Sequence, residues 1–285
     1  MTLPALELLT THRYDLTLAA PVWAHDLFAA YSWPVIALTG SRGDRIRALR
    51  PFRGSSGLLM TNSFGTALEL RLAGVRAVGY ARDGRWWLLQ RAVAVDCNDH
   101  MVEYYWRLAL ALVSGAPPAP RDFRLSVSEP AQRRARQLLD AHHVDEPYMM
   151  LCPVAVGMHR GRDKSWDGFT RLSRDLLNRG IAVVAMPGPR ETAAVRTALP
   201  DAIVLPESDL ATFAAVVAGA RGVVANDSGS GHLAAAVGAP LVSVFGVTEP
   251  EKTRPWGPRA TVVGSGVGWP RYEEVSAAVE AMLVA

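Results

Sequence analysis

Short apolar runs alternate with amphipathic stretches along most of this chain, and that alternation constrains its fold more than any other feature. "WPVIALTG" (33–40), "GLLMTNSF" (57–64), "YMMLCPV" (148–154), "IAVVAMPG" (181–188), "RGVVAND" (221–227) and "PLVSVFG" (240–246) read as buried strands. "PALELLTTH" (4–12), "GTALELRLAG" (65–74), "DHMVEYYWRLALALVSG" (99–115), "SWDGFTRLSRDLLNRG" (165–180) and "HLAAAVG" (231–238) carry helical spacing. Asp99 is the expected cap of the third helix. Strands separated by helices imply parallel sheets, because parallel neighbours need a crossover connection. The alternation runs in two series. Between them "GAPPAPRDFRLSVSEP" (115–130) is Pro-rich and aperiodic, and reads as a joint. The expectation is an α/β chain of two Rossmann-like domains with parallel sheets facing a cleft. They would span 1–125 and 126–285, the last helix being free to pack back on the N-terminal domain.

The totals exclude several classes. A chain of 285 residues that is 49% hydrophobic and 20% charged can build real cores. The net charge of +3 is spread out, without the dense basic stripe of a nucleic-acid binder. "RRAR" (133–136) and "SRGDRIRALR" (41–50) are its densest basic runs, read as solvated helix faces. Cys97 and Cys152 form no metal or disulfide pattern and read as buried thiols. No signal peptide or spanning run is recognisable, so the expected location is the cytoplasm.

Two loops carry the chemistry. In "NDSGSGHLAAAVGAP" (226–240) an apolar strand delivers an Asp-Ser-Gly to the start of a small-residue helix. Backbone N–H groups at such a start lack partners and sit at the positive end of the helix dipole, which suits a phosphate. Asp227 can cap the turn or accept a sugar hydroxyl, and His232 can donate to a phosphate or a leaving group. The competing reading is a capped helix with His232 satisfied in the core. "HRGRDKSWDGF" (159–169) also joins a strand to a helix. There Lys164, with His159, Arg160 and Arg162 about it, can meet a phosphate. Glu191, after "MPGPR", can hold a ribose hydroxyl or serve the helix dipole.

These residues resemble glycosyltransferase family 9, the ADP-heptose:lipopolysaccharide heptosyltransferases. The likeness rests on Asp227-Ser228-Gly229, His232, Pro240, Phe245-Gly246, Thr248 and Pro250, and on Lys164-Ser165-Trp166. "LLMTNSFGTALELRLAGVRAVGYARDGRWWLL" (58–89) and "HMVEYYWRLA" (100–109) are similar to the heptosyltransferase II branch. The resemblance implies a GT-B fold and inverting, metal-independent transfer of heptose from an ADP-sugar to a lipopolysaccharide inner-core or related acceptor. Lys164, Glu191, Asp227, Ser228, Gly229 and His232 would bind the donor, with His232 as a candidate for catalysis, and Asn62 and Ser63 would face the acceptor. It implies no metal site or cofactor and a lipid-linked or glycan acceptor. The basic charge points to peripheral contact with the inner face of the cytoplasmic membrane, and the expected state is a monomer.

The family's first strand and the Gly-Asp loop carrying its general base would fall before Met1. The resemblance therefore leaves open an upstream start, a shortened chain, or a catalytically impaired protein that only binds nucleotide or sugar. Without that strand the first domain is expected to be weakened. Asp44, in what reads as a loop, and His25 and Asp26, read as surface residues, do not replace the base. A dinucleotide oxidoreductase would need Gly-x-Gly-x-x-Gly after a first strand, and no such pattern stands in context.

Overall fold

Residues 1–96, 99–144, 147–155, 157–159 and 161–284 are described by the computed structural model. The readings placed on Cys97 and Arg160 lie outside them. The chain divides into two units, one of residues 1–25 and 31–120, the other of 26–30 and 121–285.

The first unit runs through α1 (Leu3–Thr11), β1 (Leu18–Ala20), α2 (Trp23–Leu27), β2 (Val35–Ala37) and α3 (Arg42–Leu49). It continues with β3 (Ser56–Leu59), α4 (Phe64–Ala73), β4 (Arg76–Tyr80), β5 (Arg91–Val93) and α5 (Met101–Leu110). Strands β1 and β2 form one parallel pair, and β3, β4 and β5 a three-stranded parallel sheet. Ala5, Leu8 and Leu9 of α1 pack on Trp106 and Ala109 of α5. Ser63 starts α4 by accepting from the Thr66 amide, and Gly74, at φ +81°, closes it.

Two sequence readings change here. The cap of α5 is His100 and not Asp99. Its Nδ1 accepts from the Val102 amide while Glu103 reaches back to the His100 amide. A carboxylate three residues into the helix closes that reciprocal box, and Asp99 instead pairs with Arg107 at 2.6 Å. Residues 42–49 are the solvated helix expected of their basic run, so Asp44 is helical rather than in a loop. Its carboxylate accepts from the Ser41 hydroxyl and amide and pairs with Arg47, and these bonds lower its pKa. Its oxygens are engaged in starting a helix. His25 is exposed, whereas Asp26 is half-buried.

The second unit contains α6 (Glu129–Ala141), β6 (Tyr148–Cys152), β7 (Met158–His159), β8 (Arg162–Asp163), α7 (Phe169–Asn178), β9 (Ala182–Ala185) and α8 (Thr192–Ala198). Then come β10 (Ile203–Val204), α9 (Leu210–Gly219), β11 (Gly222–Asn226), α10 (Gly229–Ala236), β12 (Leu241–Val244), α11 (Pro250–Thr253), β13 (Ala260–Val263) and α12 (Tyr272–Val284). Six strands form one parallel sheet in the order β10-β9-β6-β11-β12-β13, while β7 and β8 make a separate hairpin. Counted along the chain the sheet order is 3-2-1-4-5-6, the doubly wound arrangement. Every residue of β6 and β11 is buried, as for central parallel strands covered on both faces. Met149, Leu151, Val183, Val224 and Val242 of the sheet pack with Phe169, Leu172 and Leu176 of α7 and with Val275 and Val279 of α12. The last helix thus packs on the sheet of its own unit.

Strand order reverses between β6 and β11. Connections on either side of such a reversal run to opposite faces of the sheet and leave a crevice at the carboxyl ends of the two strands. The loops after β6 and β11 hold Lys164 and Asp227. Beside them the turn after β12 is held close to the segment following β13. A Cβ on Gly264, at φ +99°, would stand 1.9 Å from the Phe245 carbonyl oxygen, and one on Gly266 2.3 Å from that of Thr248.

Candidate functional site

The start of α10 lies at the carboxyl end of β11. Ser228 precedes the helix in extended conformation, with no side-chain bond to the first turn. Its Oγ is buried and has no hydrogen-bond partner among the described residues. Gly229 is exposed, and a Cβ there would meet nothing within 4 Å, so this first turn is open to a bulky group. The helix therefore presents an unpaired hydroxyl and first-turn N–H groups in one place, an arrangement suited to an anion.

Asp227 is buried beside it. Its Oδ2 accepts from the Thr248 hydroxyl at 2.7 Å and lies 3.6 Å from Lys164 Nζ. The Lys164 side chain is 21% exposed and that of Asp227 11%, so this pair sits at the edge of solvent. Lys164 thus stands by the start of α10, held by one carboxylate, with ammonium donors to spare.

Asn226 connects the two loops. Its Oδ1 accepts from the Trp166 amide at 3.0 Å and its Nδ2 donates to the Pro153 carbonyl at 2.7 Å. Fully buried, this one amide ties the end of β11 to the segment leaving β6 and to the Lys-Ser-Trp turn. Trp166 is wedged below, its indole N–H donating to the Pro270 carbonyl. A Cβ on Gly168 would overlap the Trp166 ring at 2.1 Å, so that position accepts nothing larger than glycine without a shift of the ring.

Glu191 lies in the turn after β9, with Oε2 accepting from the Gly188 amide at 2.8 Å. His232 is half-buried one turn into α10. His159 and Arg162 lie on the β7–β8 hairpin, and Arg162 donates to the Val247 carbonyl. Lys164, Asp227, Ser228 and Gly229 are therefore brought together around the start of α10, while Glu191 sits at the end of a different strand.

Cys152, at the end of β6, is a buried free thiol. Burial pushes it up to about 12, a bond from Ser230 counters this, and Glu191 raises it further. A thiol more basic in the folded than in the unfolded state stabilises the fold fully below about pH 9 and loses that contribution as pH rises toward about 12. Wild type is thus expected to lose stability more steeply than Cys152→Ala above pH 9, read by denaturant unfolding at several pH values. Parallel slopes would exclude this contribution.

In the first unit Asn62 and Ser63 lead into α4. Asn62 Oδ1 accepts from Tyr104 Oη at 2.8 Å and from Arg85 Nη2 at 3.1 Å. Arg85 is completely buried. It also donates to the carbonyls of Tyr80, Thr61 and Ser63 at 3.0, 2.5 and 3.5 Å. Burial lowers its pKa.

Asn226, Thr248 and Arg85 were not given roles from the sequence. Asn226 and Thr248 stand inside the quoted motif, next to residues that were. Arg85 looked like one more arginine in a basic chain.

Residues 45–279 match the profile of Glycosyltransferase family 9 (heptosyltransferase). The chain belongs to this family. Over 181 residues, or 62% of the chain, it is 47% identical to lipopolysaccharide heptosyltransferase 1 of Pseudomonas aeruginosa, covering 48% of that protein. Over 260 residues, 84% of the chain, it is 26% identical to lipopolysaccharide heptosyltransferase 2 of Escherichia coli, covering 73% of it. The chain thus spans about half the length of the first relative. The solved structure of E. coli ADP-heptose heptosyltransferase II superposes with a TM-score of 0.78 at 23% identity, over 99% of this chain and 94% of that one. That of E. coli heptosyltransferase WaaC with ADP gives 0.78 at 21% identity, over 99% and 95%. The fold of this family 9 chain is GT-B, with two Rossmann-like units of parallel sheet. Among the described residues no helix is long and apolar enough to cross a membrane.

Proposed function

We propose that this chain is an inverting glycosyltransferase that moves heptose from an ADP-sugar to a lipopolysaccharide inner-core or related glycan acceptor. One observation carries the reading. A lysine, a buried hydroxyl without a partner and an open helix start converge at the strand-order reversal of a nucleotide-type sheet. The relatives named above are heptosyltransferases, and one was solved with ADP.

In this reading Lys164 and the start of α10, through Ser228 and Gly229, take the diphosphate. Asp227, steadied by Thr248, and His232 contact the phosphate or the sugar, and Glu191 meets the ribose. The acceptor oxygen attacks the anomeric carbon from the face opposite the diphosphate. The bond from that carbon to the phosphate oxygen breaks, ADP leaves with the electron pair, and the hydroxyl proton must pass to a general base that is not among these residues. Lys164 and the helix dipole stabilise the departing charge, the task a divalent cation performs in other transferases. Asn62 and Ser63 serve the acceptor. The Asn62 carbonyl end is occupied by Arg85 and Tyr104, so its amide N–H end meets the ligand. The protein works as a monomer, peripherally on the cytoplasmic face of the membrane.

Calorimetric titration with ADP, UDP and NAD, followed by a transfer assay with ADP-heptose, tests this. Preference for ADP with turnover supports the proposal. Preference for ADP without turnover makes the chain a nucleotide binder, and no preference overturns the donor assignment. His232→Ala is expected to reduce turnover more than ADP affinity; equal losses would leave His232 a binding residue only.

A further inference from the structure

The first unit carries a surface that neither sheet nor capping explains. On α4, Phe64, Arg71 and Leu72 lie on the outer face, at i, i+7 and i+8, while Leu68 between them packs partly into the core of the unit. Phe64 and Leu72 are 41% and 53% exposed. Beside them the 3-10 turn Arg85–Leu88 pushes out Trp86 and Trp87, 64% and 58% exposed. The Phe64 and Trp87 rings stand 6.1 Å apart, so the helix face and the tryptophan pair are continuous. A solvated helix would present polar residues here. Contiguous exposed apolar surface of this kind marks an interaction site.

Its charges identify the partner. Arg71 and Arg76 line, with Trp87 and Gln90, a groove of about 280 Å³. Arg53 lies along the Gly74 end of α4, and Arg42 reaches toward Gly65 at the other. Glu69 is shared by Arg42 and Arg45, which leaves one positive charge over. Asp83 is exposed, and so is Arg82 next to it in the chain. Arg53, Arg71 and Arg76 pair with no acid among the described residues, so the apolar stripe is rimmed by an excess of positive charge. Amphipathic tryptophans within a basic rim suit the headgroup layer of an anionic bilayer, where the rings sit at the polar–apolar boundary and the guanidinium groups meet lipid phosphates.

We infer that α4 and the Trp86–Trp87 turn dock the protein onto an anionic membrane surface, with a lipid phosphate in the Arg71–Arg76 groove. This rests on the lipid-linked acceptor proposed above for its purpose, but its test is separate. The full chain is sedimented with vesicles of phosphatidylcholine alone and of phosphatidylcholine with phosphatidylglycerol, and sized without lipid. Binding is expected only with the anionic lipid. Partitioning should fall about five-fold per residue in Arg71→Gln and Arg76→Gln, and about ten-fold in the double variant Trp86→Ser/Trp87→Ser. These side chains are exposed, so each variant is expected to keep the wild-type melting temperature and ADP affinity. No sedimentation of the wild type, equal binding to both vesicles, or variants that partition like wild type would overturn the inference. So would a dimer that the tryptophan variants dissolve, since the face would then belong to a second copy. Lost ADP binding with intact vesicle binding would instead count against the donor site alone.

Discussion

Lys164→Ala is expected to weaken ADP binding about 10- to 100-fold, equivalent to about 1.5–3 kcal/mol for a charge-assisted contact to phosphate. Among the described residues Lys164 is held near the start of α10 by an ion pair with Asp227, at 3.6 Å, and so retains donors for a diphosphate. Its removal acts twice, since Asp227 is then left as a carboxylate near an incoming anion, with the Thr248 hydroxyl as its remaining side-chain partner among the described residues. Calorimetric titration of the two proteins measures the change. Lys164→Arg should recover part of the loss, because it restores the charge but places a planar fork where a compact ammonium stood. Unchanged affinity in Lys164→Ala would remove this residue from the donor site.

Arg85→Met is expected to destabilise the protein by about 3 kcal/mol or more, because a buried guanidinium satisfies several acceptors at once. The carbonyls of Tyr80, Thr61 and Ser63 and the Asn62 amide oxygen all take bonds from it. Methionine fills much of the volume and supplies no donor, so the buried Tyr80 carbonyl and the half-buried Asn62 amide oxygen would lose a partner, and the carbonyls of Thr61 and Ser63 would turn to water. Arg85→Lys keeps the charge but cannot span the same acceptors, and is expected to recover only part of the stability. Denaturant unfolding of the three proteins provides the comparison, and a loss below about 1 kcal/mol would show that water replaces the guanidinium. The expected consequence for function is a loop at Asn62 and Ser63 that no longer holds one conformation.

The two-series α/β architecture was legible because its strands are buried on both faces and leave continuous apolar runs, as in "YMMLC" and "GVVAN". The start of α10 was legible for a related reason. A helix that approaches both a sheet and a ligand must be built of small residues, and that leaves a mark in the sequence. Strand β13 (Ala260–Val263) was passed over because a four-residue edge strand makes no such run. The cap of α5 was misplaced because Asp99 is the better capper on intrinsic preference, while the reciprocal bond to Glu103 favours His100. Arg85 could not have been found locally. Its partners come from the Thr61–Ser63 loop and the end of β4, and only the folded chain brings their oxygens around one side chain. Asn226 belongs to the same class, since its bond to the Trp166 amide spans 60 positions.

That amide also governs how the second unit can open. With Oδ1 on Trp166 and Nδ2 on Pro153, Asn226 fastens three segments through one planar group that cannot release one of them by a bond rotation without disturbing the other. The Lys-Ser-Trp turn should therefore detach together with the end of β6, as one cooperative excursion and not as independent flickers. In hydrogen exchange the Trp166 amide, though it lies outside any helix or strand, should be protected like the sheet itself. Its rate would then report how often the whole pocket comes apart.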